Sequence, residues 1–206
     1  NDSMGIDLVR KVVNLGKDSR FRGKIFFLEN YDLEIARTLL AGVDVWLNTP
    51  IRPHEASGTS GQKAAINGTL NVSISDGWWC EGFDGTNGWT IGPVVSEFIP
   101  DTDGSGEADS KALYALLEDV VTPLFYRRDE SGVPLAWLSV VKRSMQTLIP
   151  QFSTQRMLGE YMERLYTPTA ERGRLLGAGG YKMARELADW KRKVPMRFSS
   201  VRLIDV

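Results

Sequence analysis

Three short apolar runs, spaced by helix-length segments, constrain this chain more than any other feature. They are Lys24-Ile25-Phe26-Phe27-Leu28-Glu29, Val43-Asp44-Val45-Trp46-Leu47-Asn48 and Leu70-Asn71-Val72-Ser73-Ile74-Ser75. Runs of this kind suit strands buried on both faces, as in a parallel sheet. Between the first two, Asp32 offers an N-cap and Leu33 to Ala41 reads as a helix closed by Gly42. Between the second and third, Gly58-Thr59-Ser60-Gly61 leads into a helix through Lys63-Ala64-Ala65-Ile66, ending near Asn67-Gly68. Strand, helix, strand, helix, strand at this spacing implies parallel, right-handed crossovers. The expected fold class is therefore α/β, with residues 24–76 forming part of a doubly wound parallel sheet. Three parallel strands leave two open edges and normally sit inside a larger sheet. The chain is thus expected to be the carboxyl-terminal part of something longer, and Asn1-Asp2-Ser3 reads as a cut rather than a natural start.

The flanking segments read differently. Ile6, Val9, Val12 and Val13 recur at helical spacing and predict an amphipathic helix over residues 5–17. From Gly77 to about Gly106 the chain is rich in glycine, tryptophan and acids, a loop long enough to be functional or partly disordered. Helices are expected over 108–121, 134–149, 153–166 and roughly 168–193, the last weakened at Gly177-Ala178-Gly179-Gly180. Val121-Thr122-Pro123 and Ile149-Pro150 read as helix ends. Leu158, Met162 and Leu165 lie at helical spacing and are expected in the core, and Arg197 to Val206 reads as a last strand. The implied division is 1–106, a partial Rossmann-like region with its glycine- and tryptophan-rich loop, and 107–206, carboxyl-terminal helices.

Composition narrows the function classes. With 206 residues, 42% of them hydrophobic and 25% charged, and a net charge of −1, the chain matches a folded domain rather than a disordered, collagenous or coiled-coil one. No apolar run approaches the ~18 residues of a membrane span, and no signal segment opens the chain. A single cysteine, Cys80, excludes an internal disulfide; a single histidine, His54, excludes a Cys/His zinc site, and no metal is expected. The compartment implied is reducing and cytoplasmic. The neutral balance gives no support for nucleic-acid binding. Residues 155–202 hold 11 Lys and Arg against 5 Asp and Glu, which reads as a solvated helical face.

The chemistry concentrates in Glu55-Ala56-Ser57-Gly58-Thr59-Ser60-Gly61-Gln62-Lys63. This stretch follows a parallel strand and opens a helix. Glycines and small hydroxyl residues there leave backbone N–H groups uncovered, and the helix dipole adds partial positive charge, so an anion such as phosphate is favoured. Lys63 lies about one turn into the helix. A lysine beside a phosphate cradle serves either as a phosphate clamp or as an amine that condenses with pyridoxal phosphate. In open α/β sheets, ligands bind beyond the carboxyl ends of the strands, which is where Glu55 stands with a carboxylate suited to sugar hydroxyls. Asp76 ends a strand on the same side, facing sugar or loop. The pattern is neither a Walker A motif nor a GxGxxG fingerprint, and a helix start with ordinary capping is the other reading of such a cluster. Trp78, Trp79 and Trp89 read as core or loop packing, and His54 as structural.

The run EASGTSGQKAAING at 55–68 resembles the pyridoxal-phosphate signature of the α-glucan phosphorylases. FLENYD at 27–32, GVDVWLNTP at 42–50, NVSISDGWWCEG at 71–82 and NGWTIG at 87–92 are similar to further motifs of that family. ALYALLEDVVTPLFYRRD at 112–129 and FSTQRMLGEYMERLY at 152–166 extend the likeness to the short bacterial and archaeal type. The resemblance implies a GT-B enzyme with its active site between two Rossmann-like domains, and retaining, reversible phosphorolysis of α-1,4-glucan by inorganic phosphate to glucose 1-phosphate. It implies that Lys63 carries pyridoxal 5′-phosphate, that Gly58, Thr59 and Ser60 hold the cofactor phosphate, and that Tyr31 belongs to the cofactor pocket. It further implies that Glu55, Ser57 and Gly58 contact the glucosyl hydroxyls. Gln62 departs from the methionine usual at its position, a packing contact. The residues that hold substrate phosphate and the amino-terminal domain would lie upstream. The isolated chain is therefore expected to be inactive, and to dimerise or pair at its open edge. Two other classes compete: a GT-B glycosyltransferase using a nucleotide sugar, like a glycogen or starch synthase, which needs no lysine like Lys63, and a noncatalytic glucan-binding domain.

Overall fold

The computed structural model describes residues 3–94, 105–198 and 202. The chain divides into two compact units, Asn1–Gln146 and Thr147–Val206.

The first unit is built on a three-stranded parallel sheet of β1 (Val45–Asn48), β2 (Leu70–Ile74) and β3 (Trp89–Ile91), in that order. Val45 pairs with Leu70 and Asn48 with Ser73, while Val72 pairs with Trp89 and Ile74 with Ile91. The central strand β2 is buried at all five positions. Its alternation explains why. Leu70, Val72 and Ile74 join Ile91, Val121 and Trp137 in the core, with Phe125 and Trp89 packed around Trp137. Full burial of each such aliphatic side chain stabilises the fold by about 1.5–3 kcal/mol. On the other face Asn71 meets the helix that follows β1. There its amide donates to the Gly61 carbonyl at 3.0 Å.

The helices of this unit are α1 (Ser3–Lys17), α2 (Leu33–Gly42), α3 (Thr59–Ile66), α4 (Trp79–Gly82), α5 (Ser105–Leu116), α6 (Thr122–Tyr126) and the greater part of α7 (Leu135–Gln151). Asp32 caps α2 as its residue type predicts, accepting the Ile35 N–H at 2.9 Å. A π-turn, Leu117–Val121, joins α5 to α6, so helical backbone continues through Val121-Thr122-Pro123. Proline breaks a regular helix because it lacks an N–H and crowds the preceding turn; placed at the first turn of a segment that follows a π-turn, Pro123 is accommodated.

Two further expectations fail in this unit, besides the helix end expected at Val121-Thr122-Pro123. Lys24–Glu29 is irregular, not a strand, and Phe26 is 74% exposed. Its composition suits burial, but a parallel strand forms only against a hydrogen-bonded neighbour, and this segment joins no ladder among the described residues. The expected loop from Gly77 also holds order: α4 and β3 lie within it, and β3 is the third strand of the sheet. Trp79 is fully buried and Trp78 nearly so, as packing residues, with centroids 5.2 Å apart. Residues 95–104 lie outside the described residues.

Asp84 ties the loop before β3 to α7. It accepts from Arg143 Nη2 at 2.7 Å and from the Thr86 hydroxyl at 2.7 Å. Burial pushes its carboxyl upward, but hydrogen bonds from Thr86 and the Arg143 guanidinium outweigh this and hold it below the usual value. The folded pKa is thus lower than the unfolded one. The stabilisation is fully present above the unfolded pKa and is lost as pH falls through the folded one. Melting temperatures of the parent and Asp84→Ala should differ near neutral pH, and the difference should shrink as pH falls through the folded-state pKa and the carboxylate becomes protonated in both states.

The second unit contains α8 (Thr154–Tyr161), a π-turn at Met162–Tyr166 and α9 (Thr167–Phe198). Ser153 caps α8 by accepting the Arg156 N–H at 3.2 Å. Within α9, Ala178, Gly179, Gly180 and Tyr181 leave helical geometry, at the glycine cluster read as weak. Leu158, Met162 and Leu165 are exposed rather than in the core. The π-turn rotates less per residue than an α-helix between Met162 and Tyr166, so a stripe read at uniform 3.6-residue spacing does not stay on one line. Of the expected last strand, Arg197 belongs to α9, and 199–201 and 203–206 lie outside the described residues. Among the described residues no helix is long and apolar enough to cross a membrane.

Candidate functional site

The parallel register delivers the ends of β1 and β2 to one side of the sheet, and α3 starts on that side. A cavity of about 270 Å³ lies there. Asn48 and Ser73 line it from the strand ends, with Thr49 and Pro50 beyond β1. Glu55, Ser57, Gly58 and Ser60 line it from the loop and the start of α3, and Asp76 and Trp78 from the segment after β2.

The start of α3 is set by backbone and neighbours rather than by a side-chain cap. Gly58 is the N-cap, in left-handed conformation at φ +82°, and no side chain caps the first turn. Trp46 Nε1–H donates to Ser60 Oγ at 3.2 Å and so fixes that hydroxyl against β1. Gly61 faces Asn71 and Trp78 so closely that a Cβ there would meet Asn71 Oδ1 at 2.6 Å and the Trp78 ring at 2.9 Å. Only glycine lets α3 approach β2 this closely.

The loop that carries Glu55 is held at both ends. Arg52 Nη2 donates to both Asp109 oxygens, at 2.9 and 2.7 Å, and both side chains are nearly buried. Three residues on, the Glu55 N–H donates to Asp76 Oδ2 at 3.0 Å.

Of the residues singled out in the sequence, Glu55, Ser57, Gly58 and Ser60 are brought together around the cavity. Asp76 joins them. Thr59, Tyr31 and Lys63 are not among the lining residues; all three are exposed. Lys63 lies on α3, two residues past Gly61, and its ammonium has no ion-pair or hydrogen-bond partner among the described residues. His54 is exposed and also outside the lining. Sequence reasoning did not single out Asn48, Thr49, Pro50 or Ser73; their signal is position alone, at or just past the carboxyl ends of parallel strands. The Arg52–Asp109 clamp was missed as well, because its members are 57 residues apart.

Comparison with known proteins gives this site a context. Residues 5–84 match the family model described as carbohydrate phosphorylase. The chain is 43% identical over 205 residues to a glycogen phosphorylase of Mycobacterium tuberculosis, covering 100% of this chain and 24% of that protein. It is 44% identical over 193 residues to a maltodextrin phosphorylase of Thermococcus litoralis, covering 94% of this chain and 22% of the relative. A glycogen phosphorylase of Aquifex aeolicus is 44% identical over 166 residues, 81% of this chain and 23% of its own. The chain thus spans about a quarter of the length of these curated relatives. The family match covers the β1–α3–β2 frame and its cavity, and the likeness to the M. tuberculosis relative runs the length of the chain. This chain therefore belongs to the carbohydrate phosphorylase family, as sequence of its carboxyl-terminal region.

Proposed function

We propose that this chain is the pyridoxal-phosphate-binding, carboxyl-terminal part of an α-1,4-glucan phosphorylase, a cytoplasmic GT-B enzyme that converts glycogen or maltodextrin and inorganic phosphate reversibly into glucose 1-phosphate, with retention. One observation carries the reading. An uncapped glycine helix start lines a cavity together with a carboxylate and hydroxyls, and an exposed lysine with no ionic partner among the described residues follows that glycine by five residues on the same helix.

The residues present fit the cofactor. Gly58 caps α3 without a side chain, leaving the Thr59 and Ser60 N–H groups of the first turn to an anion, while the Gly61 N–H donates to the Gly58 carbonyl at 3.2 Å. The close packing of Gly61 on Asn71 and Trp78 holds that turn rigid. Lys63 Nζ is free to bond covalently to an aldehyde. When bound, the cofactor supplies a phosphate group that passes a proton to and from the substrate phosphate. The protein's own residues do the positioning. Gly58, Thr59 and Ser60 would hold the cofactor phosphate, and Tyr31 would belong to the cofactor pocket. Glu55, Ser57 and Gly58 grip the glucosyl hydroxyls, so Glu55 acts as a hydrogen-bond acceptor to sugar rather than as the acid of a two-carboxylate hydrolase.

The groups that hold substrate phosphate would come from earlier strands of this same domain, and the glucan site and the amino-terminal domain would also lie upstream in the parent, which supports inactivity of the isolated chain. Exposed Phe26, Phe27, Leu28 and Leu33 support either cover by that domain or self-association of the chain alone. Titration with pyridoxal phosphate tests the reading: a saturable absorbance change is expected, together with no glucose 1-phosphate release from the isolated chain. Absence of any cofactor-dependent absorbance in the complete protein would overturn it.

A further inference from the structure

We propose that Asp76 is a positioning residue that sets the placement of Glu55 at the cavity, and so governs how well the glucosyl unit is gripped. The inference rests on the phosphorylase reading above. Its basis is a clasp between two segments far apart in sequence. Asp76 Oδ2 accepts the Glu55 N–H at 3.0 Å, and Asp76 Oδ1 accepts the Gly77 N–H at 2.9 Å. Two residues along, the Trp78 N–H donates to the Ser57 carbonyl at 2.8 Å. Residues 55–57 therefore lie against 76–78, the segment that leaves the most buried strand of the sheet.

The clasp has no slack. Gly77 sits at φ +53°, and a Cβ on it would stand 2.6 Å from the Ser57 carbonyl oxygen. Glu55, by contrast, is exposed, and its carboxylate makes no hydrogen bond or ion pair among the described residues. Among the described residues no polar partner holds that carboxylate, so its place is set by its backbone, and the tether at residue 55 itself is Asp76, with the Trp78 N–H holding the same loop at Ser57. A charge-assisted bond from a backbone N–H to a carboxylate is among the stronger local restraints. Displacing a binding group by about 1 Å costs on the order of a hundredfold in rate where geometry is critical. Asp76 also lines the cavity, so the alternative is that it touches the sugar itself.

A double-mutant cycle in the complete phosphorylase carrying this chain separates these roles. Asp76→Asn keeps the shape but has only one acceptor oxygen, and turns an N–H donor toward another. It should raise KM for glucose 1-phosphate about tenfold, with kcat changed less and with pyridoxal-phosphate uptake unchanged. Combined with Glu55→Gln, the same substitution should add less than about twofold, because it acts through Glu55. Gly77→Ala, whose Cβ would meet the Ser57 carbonyl oxygen at 2.6 Å and Glu55 Cγ at 3.1 Å, should displace Glu55 and give the same KM rise with the Asp76 carboxylate intact; it keeps the test available if Asp76→Asn folds poorly. Additive effects of Asp76→Asn and Glu55→Gln, or an unchanged KM in both single clasp variants, would overturn the proposal with cofactor uptake intact. Failure of the unsubstituted protein to take up cofactor would instead overturn the phosphorylase reading and this assignment with it.

Discussion

Lys63→Ala should abolish the absorbance change on adding pyridoxal phosphate, and should lower phosphorolysis by the complete protein about a thousandfold or more, the scale on which a group essential to a catalytic unit is lost. The structural cost of the change is small. Lys63 is exposed on α3 and has no ion-pair partner among the described residues, and alanine favours helix at least as well as lysine. The melting temperature should therefore stay close to that of the parent, which leaves the loss to be read as chemistry. Lys63→Arg sharpens the test. It retains the positive charge, but a guanidinium stays protonated at neutral pH and offers no free amine to a carbonyl. If Lys63 served only as a cationic clamp for a phosphate, the arginine variant would keep much of the activity. If it carries the cofactor, both variants should be equally silent by absorbance. An undiminished absorbance change in Lys63→Ala would refute the role of this amine.

What could be read from the sequence follows from where the determining interactions lie. Asp32 as a cap, the turn of Gly58 into α3 and the break near Gly179 are local, and each is found as expected. β2 was legible because burial on both faces leaves a continuous run of suitable residues. Lys24–Leu28 has the same signature and joins no ladder among the described residues, since residue type cannot supply a neighbouring strand. β3 is only three residues long among glycines, and its place is decided by pairing with Val72, Ser73 and Ile74. In the site, Glu55 to Ser60 stood out because unusual residue types cluster there. Asn48 and Ser73 carry no such mark; the parallel register alone puts them at the cavity.

Removal of Asp109 should have the largest effect on stability of any single polar substitution in the first unit. Arg52 and Asp109 are 10% and 14% exposed at their side chains, and the guanidinium meets both carboxylate oxygens through Nη2. Arg52 Nη1 is buried and has no partner among the described residues, so the pair is already under-satisfied. Asp109→Ala would leave a buried cation with no counter-charge, a change that costs about 3–5 kcal/mol. For a chain of this size that corresponds to a fall in melting temperature on the order of 10 °C. Replacing both members, as in Arg52→Met with Asp109→Leu, should recover most of the loss, because apolar residues of similar volume avoid the desolvation penalty altogether. The two results together distinguish a pair kept for stability from one kept for geometry. Arg52 lies between β1 and Glu55, so the clamp also fixes the loop that brings Glu55 and Ser57 to the cavity. The double variant should therefore melt near the parent temperature while showing a raised KM for glucose 1-phosphate. A loss below about 1 kcal/mol for Asp109→Ala, the range of solvent-exposed pairs, would mean that water reaches the guanidinium and that the loop is not held by this contact.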